Sequence, residues 1–152
     1  MQAMPLPLDQ LRAALPLLRV TWPRVELAAL RCFVESVEQR TASPRAGAIA
    51  LRDPTDHVSG LLVYEAGVEW LEGAVLNVPL FTVVDLANSR QNVETLYDAA
   101  CATARALGCG AIQIRLYTEQ AGLAGRLRAL GPFDRGDCLW ARVTPQGIAA
   151  NA

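Results

Sequence analysis

The stretch that decides the fold runs from Leu80 to Leu116 and reads LFTVVDLANSRQNVETLYDAACATARALGCGAIQIRL. It contains an apolar strand, a polar turn at Asn88–Asn92, an amphipathic helix and a second apolar strand. If the two strands are parallel neighbours, the turn places a helix N-terminus at the carboxyl end of the first strand. Backbone N–H groups in such a position commonly hold phosphates. The stretch therefore predicts a ligand site at the polar turn.

The helix in this stretch is predicted from its regular apolar spacing. We expect it to span Asn92–Leu107 and to end at Gly108, because the C′ position of a helix favours glycine. The residues after the glycine alternate between apolar and polar, which is typical of a half-buried strand. The apolar face of the helix consists of Leu96, Ala100, Ala104 and Leu107.

Composition indicates one folded domain. The chain has 152 residues, of which 52% are hydrophobic and 19% charged, enough apolar surface to bury a core. A net charge of −1 gives no basic surface for nucleic acid, and the lack of lysine excludes a Schiff-base mechanism. No apolar run approaches the roughly 20 residues that span a bilayer. We expect a single domain over 1–143, with leading helices over 8–39, a core over 46–143 and a flexible tail over 144–152.

The cysteines and the single histidine do not predict a metal site. Cys32, Cys101, Cys109 and Cys138 lack metal-ligand spacing, so free thiols in a reducing cytoplasm are expected. Cys32 and Cys101 occupy apolar helix positions and are expected in the core. Cys109, beside two glycines, is the one to test for reactivity. His57 is predicted to lie in a solvated loop.

Two helices are expected at the start of the chain. Leu8–Leu15 has helical spacing, and Pro16 is expected to end or kink that helix. Thr21 is the predicted N-cap of a second helix with Pro23 in its first turn. The segment before residue 8 is extended but gives no convincing first strand.

Three strands are expected in the middle of the chain, forming an antiparallel meander. Glu72-Gly73 is the predicted hairpin turn between the second strand and the third. Pro79 lies inside the third strand and predicts a bulge or an edge position there. The strands are expected over Ala48–Leu51, from Gly60 to about Leu71, and over Ala74–Val84.

The last third of the chain completes an α+β order. Thr118 is the predicted cap of a last helix, which Gly131-Pro132 ends. Cys138–Val143 is predicted to be the final strand. The order is therefore two helices, three strands, helix, strand, helix, strand (ααβββαβαβ).

Over roughly Ala46–Val143, this order and the helix spacing resemble the GNAT N-acetyltransferase superfamily. The apolar helix face, with Gly108 after it, falls at the spacing of that family's acetyl-CoA motif. Leu130–Phe133 is similar to the Leu-Gly-Phe ending of its last helix. The resemblance implies an α/β sandwich, a mixed and mostly antiparallel sheet with helices on both faces, in which the first strand is apparently missing.

The resemblance also implies a site for acetyl-CoA or another acyl-CoA between the fourth and fifth strands of the family. Counting back from the helix puts Val83 at the end of the fourth strand. The amides of Val83 and Asp85 would then hold the pantetheine arm. The implied pyrophosphate site consists of Arg90, Gln91, Asn92, Val93 and Glu94.

This phosphate motif departs from the family pattern. Asn88 replaces an Arg or Gln, while Gln91 and Val93 replace glycines that let the backbone approach a pyrophosphate closely. Glu94 is expected in the first turn of the helix, where a carboxylate would repel a phosphate. Arg90 is expected to compensate through a charge-assisted contact.

Few residues are available for catalysis. Leu127 lies where many members of the family have a tyrosine that protonates the departing thiolate. Tyr117 is the nearest plausible proton donor, with an aromatic edge covering the core as the alternative interpretation. Trp70 either lines an acceptor pocket or packs on the sheet.

Three functions remain open from the sequence. The first is an acyltransferase that moves an acetyl or other acyl group from acyl-CoA to an amine acceptor. The second is a catalytically inactive regulatory or assembly module, for which a missing edge strand predicts self-association as a homodimer. The third is an unrelated α+β domain whose alanine-rich helix matches by chance.

Overall fold

A computed structural model describes residues 1–42, 44–84 and 89–144. Their strands form one sheet in the order β1-β2-β3-β4-β5-β7-β6. All neighbouring strands are antiparallel except β4 and β5, which are parallel. The strands are β1 Gln2–Pro5, β2 Ala46–Arg52, β3 Val58–Glu69, β4 Gly73–Val83, β5 Ala111–Arg115, β6 Phe133–Arg135 and β7 Cys138–Arg142. The helices are α1 Leu15–Thr21, α2 Leu27–Arg40, α3 Ser89–Ala106 and α4 Ala121–Arg128, with 3-10 turns over Leu8–Ala14 and Thr118–Gln120.

Helices cover both faces of the sheet, as expected for an α/β sandwich. Successive residues of a strand point to opposite faces, so β4 contributes to two cores. Leu80 is buried with residues of α1 and α2 on one face. Phe81 is buried on the other face with residues of α3 and α4. The expected mixed, mostly antiparallel sheet is confirmed.

The expectation that the first strand is missing is wrong. Gln2–Pro5 forms β1 and pairs antiparallel with β2, with Pro5 opposite Ile49. The strand is short and contains proline, so its composition does not predict a strand. It forms by pairing with residues more than forty positions away, which no local pattern indicates. Because β1 pairs with the edge of β2, β2 has no unpaired edge that a second subunit would cover. The missing strand therefore no longer supports a homodimer, and self-association stays an untested prediction.

The boundaries of the leading helices also differ from expectation. Pro16 lies in the first turn of α1 instead of ending a helix, because that position needs no backbone N–H. Thr21 is the last residue of α1 and not the N-cap of α2. The second helix begins only at Leu27, after Glu26.

The predicted irregularity at Pro79 is confirmed and shapes the sheet. Val63 lies opposite Leu80, but Glu65 lies opposite Asn77, so two residues of β4, Val78 and Pro79, oppose one residue of β3. Such a bulge bends a strand and increases its twist. Proline also lacks the N–H that a central strand would donate. The bend therefore falls in the middle of β4.

Three further differences concern the helix start, the last hairpin and a thiol. The helix predicted from Asn92 begins three residues earlier, at Ser89. The short strand β6, which pairs with β7, was not predicted. Cys32 is exposed on α2 and not part of the core.

Across the described ranges, we find no helix with the length and apolarity to cross a bilayer.

Candidate functional site at the divergence of β4 and β5

The parallel strands β4 and β5 pair over only part of their length. Their register runs from Val75 opposite Ala111 to Val78 opposite Ile114. Beyond the bulge at Pro79, β4 continues to Val83, whereas β5 ends at Arg115. Within the described chain, the second half of β4 therefore pairs with β3 alone, and an opening separates it from the segment that follows β5.

A buried glutamine spans this opening. Gln120 is 5% exposed, and its Nε2 donates a hydrogen bond of 2.8 Å to the carbonyl oxygen of Phe81. Its Oε1 accepts a hydrogen bond of 3.1 Å from the backbone N–H of Tyr117. A side chain thus takes the place of a neighbouring strand at Phe81, because β5 no longer provides backbone partners there.

The orientation of β4 decides which backbone groups face the opening. The N–H of Val84 donates to Ser59 on the β3 side at 2.9 Å, while the carbonyl of Phe81 faces the other side, toward Gln120. Backbone groups alternate sides along an extended strand. Val83, two residues after Phe81, therefore presents its N–H and carbonyl to the opening, as its predicted role requires.

The N-terminal turn of α3 follows the end of β4. Because the described part of α3 begins at Ser89, no carbonyl within it can accept the amides of Ser89, Arg90 and Gln91. The amides of Val93 and Glu94 bond instead to carbonyls one turn earlier within the helix. The helix has no acidic residue in its first turn, so Glu94 lies further from the helix N-terminus than expected. Asp85 and Asn88 lie outside the described residues.

The side chains of this turn divide between solvent and core. Arg90, Gln91 and Glu94 are exposed, whereas Val93 is 1% exposed and packs in the core beneath α3. Asn92 is 4% exposed, and its Oδ1 has no hydrogen-bond partner in residues 1–42, 44–84 and 89–144. A buried polar atom left unpaired costs roughly 1–3 kcal/mol. Among the described residues, Asn92 therefore carries a buried and unpaired acceptor near the start of α3.

Tyr117 lies on the other side of the opening, two residues after the end of β5. Its side chain is half exposed and meets Trp22 edge to face, with ring centroids 5.5 Å apart at 79°. Both rings line a cavity of about 330 Å³ between α1, α2 and β4. Sequence reasoning did not identify Trp22 as a site residue; its only local signal is an aromatic ring at the break between two helices.

The other candidates named from the sequence do not reach the opening. Leu127 is fully buried, as expected for a core residue. Trp70 is 87% exposed in the β3–β4 turn, so it neither lines a pocket nor packs on the sheet.

Burial raises the pKa of the Cys109 thiol, which makes it a poor nucleophile. His57 lies in an exposed loop, as predicted. No group of residues in the described chain could hold a metal ion.

The acidic residues before β4 have structural partners. Glu69 accepts the backbone N–H of Glu72 at 2.7 Å. Glu72 itself accepts hydrogen bonds from Arg142 at 2.6 Å and Arg135 at 2.7 Å, and these guanidinium groups hold the pKa of Glu72 below its ordinary value. The guanidinium of Arg135 also lies 4.6 Å from the ring centre of Trp140. This cluster joins the β3–β4 turn to β6 and β7, at the end of β4 away from the opening.

Comparison with known proteins supports the architecture. No protein-family model matches the chain, and no curated protein matches its sequence. Solved structures do match. A GNAT-family acetyltransferase from Staphylococcus aureus Mu50 has a TM-score of 0.72 at 8% identity, over 94% of this chain and 99% of that one.

Two further matches are acetyltransferases with named acceptors. A spermidine N-acetyltransferase chimera from Vibrio cholerae SpeG and hSSAT matches with a TM-score of 0.67 at 10% identity, over 100% of both chains. An aminoglycoside 6'-acetyltransferase of type Ii matches with a TM-score of 0.64 at 18% identity, over 96% of this chain and 99% of that one. The chain has the fold of the GNAT acetyltransferases. The strand order and the divergence of β4 from β5 agree with these similarities.

Proposed function

We propose that this protein is an N-acyltransferase that moves an acetyl or other acyl group from acyl-CoA to an amine. The observation that carries the proposal is the opening beyond Pro79, where β4 continues to Val83 without β5 as a neighbour. Backbone groups of Val83 face this opening, and the N-terminus of α3 follows it in the chain. Proteins use such helix ends to bind phosphates.

The residues at the start of α3 fit the pyrophosphate of an acyl-CoA. No carbonyl in the described part of α3 accepts the amides of Ser89, Arg90 and Gln91, and these amides suit a pyrophosphate together with the exposed Arg90 guanidinium. Of the residues named from the resemblance, Val93 and Glu94 contribute less in this proposal, because their amides are used within α3.

Two groups of this chain take part in the proposed reaction, the N–H of Val83 and the phenol of Tyr117. Acyl-CoA brings an activated thioester carbonyl. In this proposal, the N–H of Val83 stabilises negative charge on the carbonyl oxygen. As the new C–N bond forms and the C–S bond breaks, Tyr117 would give its phenolic proton to the departing sulfur. The surplus proton of the amine leaves to solvent, which also restores the proton of Tyr117.

Calorimetric titration with acetyl-CoA tests this proposal. The wild-type protein is expected to bind, and Arg90→Glu to weaken binding roughly tenfold by replacing an attractive charge with a repulsive one. Arg31→Glu makes the same charge change at an exposed position on α2 and is expected to alter affinity by no more than about twofold. Folded wild-type protein that does not bind millimolar acetyl-CoA would contradict the proposal.

A second candidate function is a GNAT-shaped module that does not catalyse. The observation in its favour is Leu127, which is fully buried where many GNAT proteins have a catalytic tyrosine. Such a module would leave the CoA thioester intact in the presence of any amine. Release of free CoA thiol that depends on an added amine would exclude it.

A further inference from the structure

The cavity beside Tyr117 has a uniformly uncharged wall. Its nine lining residues include Trp22, Phe33, Leu80 and Tyr117, and none carries a carboxylate or a guanidinium. A volume of about 330 Å³ is at the lower end of the range for small-molecule sites. The wall therefore suits a small ligand with an apolar or aromatic body.

The cavity also lies against the opening between β4 and β5. Pro79 and Leu80 come from the point on β4 where pairing with β5 has ended, and Tyr117 comes from just beyond β5. Leu80 points to the α1 and α2 face, opposite to the α3 face of Phe81. A molecule in the cavity would thus approach the opening from the side of the sheet that does not carry α3.

The lining determines what kind of amine can react here. An apolar environment disfavours an ammonium ion relative to the neutral amine, and only the neutral amine is a nucleophile. The cavity can therefore promote loss of one proton without a carboxylate base. A polyamine would bring additional charges, and the lining has no acidic group to pair with them.

We propose that the acceptor is a monoamine on an apolar, aromatic-sized body, such as an arylalkylamine, and not a polycationic amine. This inference rests on the proposed acyltransferase function and specifies its acceptor. It sets this chain apart from the spermidine and aminoglycoside acetyltransferases whose fold it shares.

The test compares two amines with the full-length protein and saturating acetyl-CoA. Thiol release with 2-phenylethylamine is expected to exceed that with spermidine at least ~10-fold in kcat/KM. Preference for spermidine, or transfer to neither amine by protein that binds acetyl-CoA, would overturn the inference. Failure to bind acetyl-CoA at all would instead overturn the acyltransferase proposal, so the two failures are distinct.

A matched pair of variants locates the preference in the cavity. Ala29 and Ala28 are adjacent exposed residues of α2, but only Ala29 lines the cavity. Ala29→Glu is expected to shift the kcat/KM ratio toward spermidine by roughly tenfold, whereas Ala28→Glu shifts it by no more than about twofold. If both variants shift the ratio equally, or if Ala29→Glu changes only the preferred acyl-chain length, the cavity is not the acceptor site.

Discussion

The two halves of β4 belong to one strand but have different neighbours. From Val75 to Val78, the strand lies between β3 and β5. From Leu80 to Val83 it pairs with β3, and Gln120 provides a side-chain partner on the other side. The boundary between them is the bulge at Pro79. One proline thus separates backbone groups that build the sheet from backbone groups that can bind a ligand.

The largest effect is expected at the half of β4 that lacks β5 as a neighbour, because Tyr117 lies across the opening from it. Tyr117→Phe keeps the ring contact with Trp22 but removes the phenolic proton. We expect kcat for acyl transfer to fall roughly 100-fold while acetyl-CoA affinity stays unchanged, because general acids contribute at least that much. Steady-state kinetics and calorimetry measure the two quantities. A kcat near that of the wild type would limit Tyr117 to its packing role.

A smaller effect, on stability, is expected from Gln120→Ala. The substitution removes the donor that satisfies the buried carbonyl of Phe81, which should cost about 1–3 kcal/mol. Gln39→Ala, at an exposed position of α2, is the control and should change stability by less than about 0.5 kcal/mol. Equilibrium urea unfolding compares the two variants. Equal stabilities would mean that water replaces the Gln120 amide and that the opening is hydrated.

The smallest effect is expected at the amino end of β4, next to the half of the strand that pairs with both β3 and β5. Hydrogen bonds from Arg142 and Arg135 lower the pKa of Glu72 in the folded protein. The stabilisation is therefore present above the ordinary carboxyl pKa of 4.5 and is lost as the pH falls through the lower folded-state value.

Thermal unfolding as a function of pH measures this contribution. Glu72→Gln should lower Tm at neutral pH, and the difference from wild type should shrink in acid. Glu119→Gln, an exposed residue near Gln120, serves as the control and should shift Tm little at any pH. A difference that grows as the pH falls would contradict the assigned ion pairs.

The parts of the fold that could be predicted from the sequence are those set by local chemistry. The helix face of α3 was predicted because Leu96 and Ala100 recur at helical spacing, and Gly108 ends it with a φ of 74° that glycine adopts without strain. The bulge at Pro79 was predicted because proline cannot donate a hydrogen bond to a neighbouring strand. Each signal is contained within a few residues.

The parts that could not be predicted depend on contacts between distant residues. Four residues at the start of the chain become β1 only because β2 provides an edge to pair with. The cavity combines Trp22, Phe33, Leu80 and Tyr117, which lie on four separate segments. No local pattern relates these positions, so neither the cavity nor its lack of charge is visible in the sequence.

Hydrogen exchange of the two halves of β4, with and without saturating acetyl-CoA, tests the central claim most directly. We predict that the ligand protects the amides of Phe81, Val83 and Ser89–Gln91 and leaves those of Val75–Val78 unchanged. Protection of Val75–Val78 alone, or no change in either half of β4 when acetyl-CoA is bound, would contradict the assignment of the ligand site to the divergence of β4 and β5.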